Sequence, residues 1–186
     1  EVIFNTESFL EQNTLPFMLQ CEKKSIDFNL TIAPDVPRWI RSDPARIKQI
    51  IDNIINNGIR FTETGYVALN VRSQAAEASS DEMTLELHFE DTGIGIPEGS
   101  IETIFDPFEQ LGSNRSERYG GTGLGLPIVR DTIQHLGGKI RVESKTGEGS
   151  HFYVTLPVTE AEEPMLPEKA RGTTSADLSS LRLLYV

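Results

Sequence analysis

Between Ser42 and Gly58 the sequence commits to a helix more firmly than anywhere else, and the remaining elements have to be arranged around it. Ser42-Asp43 offers a capping side chain, Pro44 stands where a first turn needs no N–H, and Ile47, Ile50, Ile51, Ile54 and Ile55 recur at i, i+3, i+4 spacing. This predicts a helix over 44–58 with one apolar face. Asn53 and Asn57 are spaced i, i+4 on it, so both amides leave the helix on a common side. An amide oxygen is a hard, neutral donor suited to a Mg²⁺ that already bridges phosphates. The bland alternative is a pair of solvated or capping asparagines near a helix end.

Strands are expected around this helix. Ile26, Phe28, Leu30 and Ile32 alternate with polar residues, and the turn Thr64-Gly65 precedes a second alternating run over 66–71. Leu85 to Phe89 reads as a third strand, with 74–81 as its hairpin connection. Lys139 to Ser144 and His151 to Pro157 read as two more, joined by Thr146-Gly147-Glu148-Gly149. Pro127 tolerates a first helical turn, and Ile128, Val129, Ile133 and Leu136 give that helix an apolar face ending at Gly137-Gly138. Asn5 to Glu22 shows a mixed helical pattern interrupted at Pro16. Glycines are dense from Gly93 to Gly125, where a mobile loop is expected instead of a packed core. Val158 to Ser180 has linker composition, and Leu181 to Val186 is apolar and β-prone, like the start of another domain.

A length of 186 residues suits one α/β domain with a tail. With 28 acidic and 17 basic side chains the net charge is -11, which repels phosphate backbones and anionic lipid. Nucleic acid and direct membrane contact are thereby disfavoured, and a polyanionic ligand would need counter-charge supplied locally by a cation, a few placed Arg or Lys, or backbone N–H groups. The single cysteine, Cys21, has no disulfide partner, fits a reducing compartment and reads as a small apolar helix residue. No apolar run approaches the roughly 18 residues of a membrane span, and no signal peptide is visible. Beginning at Glu1, the chain reads as a fragment of something longer.

Three further segments carry chemistry. Asp91-Thr92-Gly93-Ile94-Gly95 follows a strand directly: a carboxylate there can accept a hydrogen bond, and two glycines would let backbone approach a planar ligand. A Gly-rich turn with Asp as its former is the plainer reading. Ile104-Phe105-Asp106-Pro107-Phe108 reads as a hydrophobic anchor that pins a loop. Gly120-Gly121-Thr122-Gly123-Leu124-Gly125-Leu126 opens a helix, so that free N–H groups and the positive dipole end can face phosphate. Neither the P-loop nor the dinucleotide fingerprint fits, so a different ATP-binding fold is indicated.

In order and spacing, Asn53-(x3)-Asn57-(x2)-Arg60-Phe61-Thr62, Asp91-Thr92-Gly93-Ile94-Gly95-Ile96-Pro97, Phe105-Asp106-Pro107-Phe108 and Gly121-Thr122-Gly123-Leu124-Gly125-Leu126 resemble the N, first-glycine, F and second-glycine boxes of histidine kinases. The likeness spans about Asp43 to Pro157. It implies a Bergerat-type two-layer α/β sandwich, a mixed sheet backed by helices, with ATP between the N-box helix and a lid over 109–120. By position Asn57 is the implied Mg²⁺ ligand, while Asn53 and Arg60 face the phosphates. Asp91 takes the adenine amino group, and Gly93, Gly95 and Ile96 line the base pocket. Phe105 and Phe108 anchor the lid, Arg115 and Arg118 reach the γ-phosphate, and Gly121, Thr122, Gly123, Leu124, Gly125 and Leu126 cradle the phosphates. His88, His135 and His151 match no phosphoacceptor motif and read as core or surface residues.

The resemblance divides the chain into a helical lead-in over 1–24 from a missing dimerisation domain, a catalytic domain over 25–158, a linker over 159–180 and the first strand of a receiver-like domain over 181–186. Expected partners are the histidine-containing dimerisation domain of the same protein and that downstream receiver, with the cytoplasm as compartment whether or not the parent protein is anchored in the inner membrane. Two departures stand out: Gly58 where the family usually has Ala, and Arg60 where Lys is usual. Two rivals remain. An ATP-hydrolysing machine of the wider superfamily would carry glutamate where this chain has Asn53. A degenerate nucleotide-binding or regulatory module would lack turnover.

Overall fold

The computed structural model describes residues 1–75, 82–108 and 123–164. Helices α1 (Thr6–Lys24), α2 (Pro44–Phe61) and α3 (Gly125–His135) lie against one face of a mixed sheet. Its strands are β1 (Val2–Asn5), β2 (Asp27–Ile32), β3 (Trp39–Ser42), β4 (Tyr66–Ala75), β5 (Glu82–Asp91), β6 (Lys139–Lys145) and β7 (Gly149–Glu160). The order is β1-β3-β7-β5-β4-β2, and β6 also pairs with β7. Only β2 with β4 is parallel; the other pairings are antiparallel. The architecture is therefore the expected two-layer α/β sandwich.

The helix over 44–58 forms as its signals require. Asp43 accepts the Arg46 N–H at 3.1 Å as N-cap, Pro44 occupies the first turn, and every isoleucine of the stripe is buried. The helix runs on to Phe61, because Gly58 and Ile59 continue the buried face. Lys24 then caps it from the end of α1, its ammonium donating to the carbonyls of Ile59 at 2.5 Å and Arg60 at 3.1 Å.

That contact bears on residues 1–24. β1 pairs with β3, and Leu10, Phe17 and Cys21 of α1 are buried in the same core as the α2 isoleucines. The segment is thus built into the body that was expected to begin at 25. Pro16 does not interrupt α1, which continues through it. Proline costs a helix interior about 3 kcal/mol. Here Leu10, Thr14, Phe17 and Cys21 all face the core, each large apolar side chain contributing ~1.5–3 kcal/mol. Pro16 sits on the exposed side.

The other end differs too. β7 extends to Glu160, where Thr159 pairs with Arg41 and Glu160 with Ile40, so the expected linker at 159 begins inside a strand. The glycine-dense stretch also contributes to packing: Ile96 and Ile104 are core residues at 8% exposure each. Residues 76–81, all of the expected lid over 109–120, and the end of the expected linker with the receiver-like strand lie outside the described residues. Among the described residues, no helix is long and apolar enough to cross a membrane.

Candidate functional site

Asn53 and Asn57 project from α2 toward the start of α3. Asn53 donates its amide to the Gln49 carbonyl at 2.8 Å. A Cβ built on Gly125 would stand 3.0 Å from Asn53 Oδ1 and 3.9 Å from Asn57 Nδ2. Both amides therefore lie beside the N-terminus of α3, and a side chain at 125 would crowd that of Asn53. Leu124, its N-cap, supplies no side-chain cap. The free N–H groups of such a first turn are suited to an anion.

One residue along, Gly58 meets the sheet. Its absent Cβ would lie 3.2 Å from a Val67 methyl and 3.5 Å from Asp91 Cβ. Alanine would gain helix propensity of about 1 kcal/mol but would have to displace Val67, which accounts for glycine at this position. The pair Asn57-Gly58 consequently touches the α3 N-terminus on one side and the Asp91 segment on the other.

Asp91 closes β5 and is 9% exposed. Its Oδ1 accepts the Gly93 N–H at 2.9 Å. Burial pushes its carboxyl above the usual aspartate range, against the opposing pull of the Gly93 N–H, the Ser150 hydroxyl and N–H, and the charge of His151. No cation pairs with it as a salt bridge among the described residues. A carboxylate held this way is an acceptor waiting for a donor. Thr62, the C-cap of α2 and 0% exposed, has a hydroxyl without a hydrogen-bond partner among the described residues.

The two glycines after Asp91 are closed in by backbone on their Cβ side. The Cβ position of Gly93 is 2.6 Å from the Phe61 carbonyl oxygen, and that of Gly95, at φ +65°, is 2.1 Å from the Lys145 carbonyl oxygen. A side chain at either position would meet backbone. The segment is packed down by Ile94 N–H to Phe61 O at 3.2 Å, Gly147 N–H to Ile94 O at 2.8 Å and Ile96 N–H to Ser144 Oγ at 2.8 Å. Ile96 thereby becomes part of the core.

The anchor at 104–108 is divided. Ile104 is buried and Phe105 packs on the core beneath the Arg130 guanidinium, 5.7 Å from its ring centroid. Phe108 is not an anchor: it is 73% exposed, with φ 65°. Its N–H donates to Gly123 O at 3.2 Å, so the chain leaves and re-enters the described body at one place. Gly123 itself takes φ +69°. Leu126 packs on the core, and Arg60 lies in the last turn of α2. Arg115, Arg118, Gly121 and Thr122 lie outside the described residues.

Sequence reasoning missed Gly149 and Ser150. Gly149, at φ +105°, would place a Cβ 1.9 Å from the Asp91 carbonyl oxygen, and Ser150 holds the Asp91 carboxylate. The available signal was a glycine opening a strand, which marks close backbone approach.

A family model described as histidine kinase-, DNA gyrase B-, and HSP90-like ATPase matches residues 42–160. The sensor histidine kinase RcsC of Escherichia coli (strain K12) is 38% identical over 152 residues, covering 82% of this chain and 15% of that protein. Hybrid signal transduction histidine kinase A of Dictyostelium discoideum is 36% identical over 165 residues, covering 80% of this chain and 8% of that protein. The chain therefore spans a small part of the curated relatives it matches. Full-length ShkA in complex with AMPPNP superposes with TM-score 0.72 at 27% identity, over 88% of this chain and 32% of that one. The nucleotide-free catalytic domain of histidine kinase ThkA gives TM-score 0.64 at 28% identity, over 84% of this chain and 96% of that one.

Proposed function

The chain belongs to the histidine kinase-, DNA gyrase B- and HSP90-like ATPase family, and from that premise we propose that it binds Mg²⁺·ATP and donates the γ-phosphate to a histidine on a separate dimerisation domain of its parent protein. The observation that carries the reading is the position of Asn57-Gly58, in reach of both the α3 N-terminus and Asp91. Adenine would be held at Asp91, whose carboxylate accepts the exocyclic amino group. The triphosphate would lie along the face of α2 that bears Asn53 and Asn57, toward the first turn of α3, with Arg60 adding charge. In a chain of net charge -11 this supplies the local complement that a polyanion needs.

The donor set fits Mg²⁺, which takes few protein oxygens and keeps much of its water. Asn57 would hold it, and the ion, when bound, neutralises phosphate charge. What the chain itself contributes is positioning and electrostatic complementarity, which supply most of the catalysis in phosphoryl transfer. Asn53 has no proton-accepting carboxylate, which argues against an enzyme that activates water at this position.

The test is phosphoryl transfer in trans. The purified chain, mixed with γ-labelled ATP, Mg²⁺ and the parent's helical dimerisation domain, is expected to label a histidine on the added domain, with acid-labile and base-stable phosphate, while staying unlabelled itself. ATP hydrolysis at the same rate without the added domain would favour an ATPase. Bound ATP with neither transfer nor hydrolysis would leave a regulatory module.

A further inference from the structure

Residues alternate between the two faces of β5. Leu87, Phe89 and Asp91 face the helices and are buried, so His88 and Glu90 face away from them. Across the antiparallel register Glu90 pairs with His151 and His88 with Tyr153. One donor atom from each of His88, Glu90 and His151 falls within 4.8 Å of the other two, and all three residues are half-buried. These are the ligand types of a transition-metal centre, brought together on rigid paired strands and away from the nucleotide cleft.

The separation of the two ring nitrogens is close to that of a pair sharing one ion. His88 Nε2 lies 3.1 Å from His151 Nδ1. Two nitrogens bound tetrahedrally at ~2.0–2.1 Å stand roughly 3.3 Å apart. The groups behind the donors are ordered as well. The Tyr66 hydroxyl donates to Glu90 Oε1, and the His88 ring stacks on Tyr153 at 4.5 Å with an interplanar angle of 1°. Tyr153 in turn lies under the Arg141 guanidinium at 4.0 Å and donates to Glu143 at 3.2 Å. Such outer contacts fix ligand orientation in metal sites.

We infer that His88, His151 and Glu90 form a binding site for a divalent transition metal of the Zn²⁺ class, with a fourth position on the solvent side left to water. Two imidazoles and one carboxylate select such ions over Mg²⁺ or Ca²⁺, which prefer oxygen-only sets. The site lies back to back with the Asp91 pocket, because Glu90 and His151 are the chain neighbours of Asp91 and Ser150. An ion there would tie β5 to β7 at that level.

Titration of the whole chain with Co²⁺ and then Zn²⁺, without nucleotide, tests this. Co²⁺ is expected to give the intense visible bands of a four-coordinate site at a single equivalent, and Zn²⁺ to abolish them. His88→Gln or His151→Gln should each weaken binding on the order of 100-fold, and Tyr66→Phe roughly 10-fold, as for lost outer contacts. His135→Gln, on the exposed end of α3, should change nothing. Imidazole NMR signals of the unaltered chain provide a reading independent of variant folding: Zn²⁺ should shift those of His88 and His151 and leave that of His135. Equal binding by the His88→Gln/His151→Gln double variant and the parent, or shifts at His135 alone, would overturn the inference.

Discussion

Asp91→Asn is expected to weaken Mg²⁺·ATP binding on the order of 100-fold while leaving the fold as stable as before or more so, a combination that ordinary damage to a core residue cannot produce. The two effects have separate causes. Oδ1 is committed to the Gly93 N–H, so an asparagine must keep its oxygen there and turn its NH₂ to where the adenine amino group would donate. Donor then faces donor, and the ligand loses its acceptor. In the empty protein the same change removes a carboxylate whose charged form burial disfavours. The sign follows from linkage. A carboxyl raised in the folded chain contributes stability that is fully present below its unfolded value and is lost as pH rises through the folded one. The parent should therefore lose stability over that rise relative to the asparagine variant. Each kcal/mol relieved at neutral pH corresponds to about 2–4 °C in melting temperature for a chain of this size. Calorimetric titration and thermal melts read both effects, and a variant that melts well below the parent would contradict this view of Asp91.

Gly149→Ala should be among the most destabilising single-methyl additions in the molecule. Its Cβ would fall 1.9 Å from Asp91 O and 2.9 Å from Thr92 Cα, both backbone, at φ +105°. Positive φ without glycine costs about 1 kcal/mol, and overpacking typically adds ~1–3 kcal/mol. A loss of roughly 2–4 kcal/mol is a large share of the 5–15 kcal/mol typical of a domain. Gly147→Ala is the internal comparison. It shares positive φ, at +85°, but meets nothing within 4 Å, so only the backbone cost of about 1 kcal/mol should remain. Urea unfolding of the two variants measures the difference, and equal losses would mean that strand β7 can draw back from Asp91.

What could be read from the residues alone, and what could not, divides along physical lines. α2 was legible because a cap, a proline and five isoleucines state the same period, and its extension to Phe61 depended on Gly58 fitting under Val67. β1 and β3 left no trace: each has four residues, and Val2 to Asn5 shows no alternation of burial. α1 was obscured by Pro16, whose local cost is overridden by tertiary burial of Leu10, Phe17 and Cys21.

The site was legible in parts. The common side of Asn53 and Asn57 follows from helical spacing, but their approach to Gly125 depends on how α2 and α3 pack, which no local pattern states. Gly93 and Gly95 were singled out for close backbone approach to a ligand, and on their Cβ side each also meets the protein's own backbone. The His88, Glu90 and His151 group went unread for a similar reason. Alternation puts His88 and Glu90 on one face, yet only the pairing of β5 with the distant β7 brings His151 to them.

Calorimetry of ATP binding, with Mg²⁺ and again in excess EDTA, on the parent chain and on Asn57→Ala, is the most direct test of a nucleotide cleft between α2, Asp91 and α3. A single site that tightens markedly with Mg²⁺, and loses that dependence in Asn57→Ala, is the expected result. Absent binding, or an affinity indifferent to both the ion and the asparagine, would contradict it.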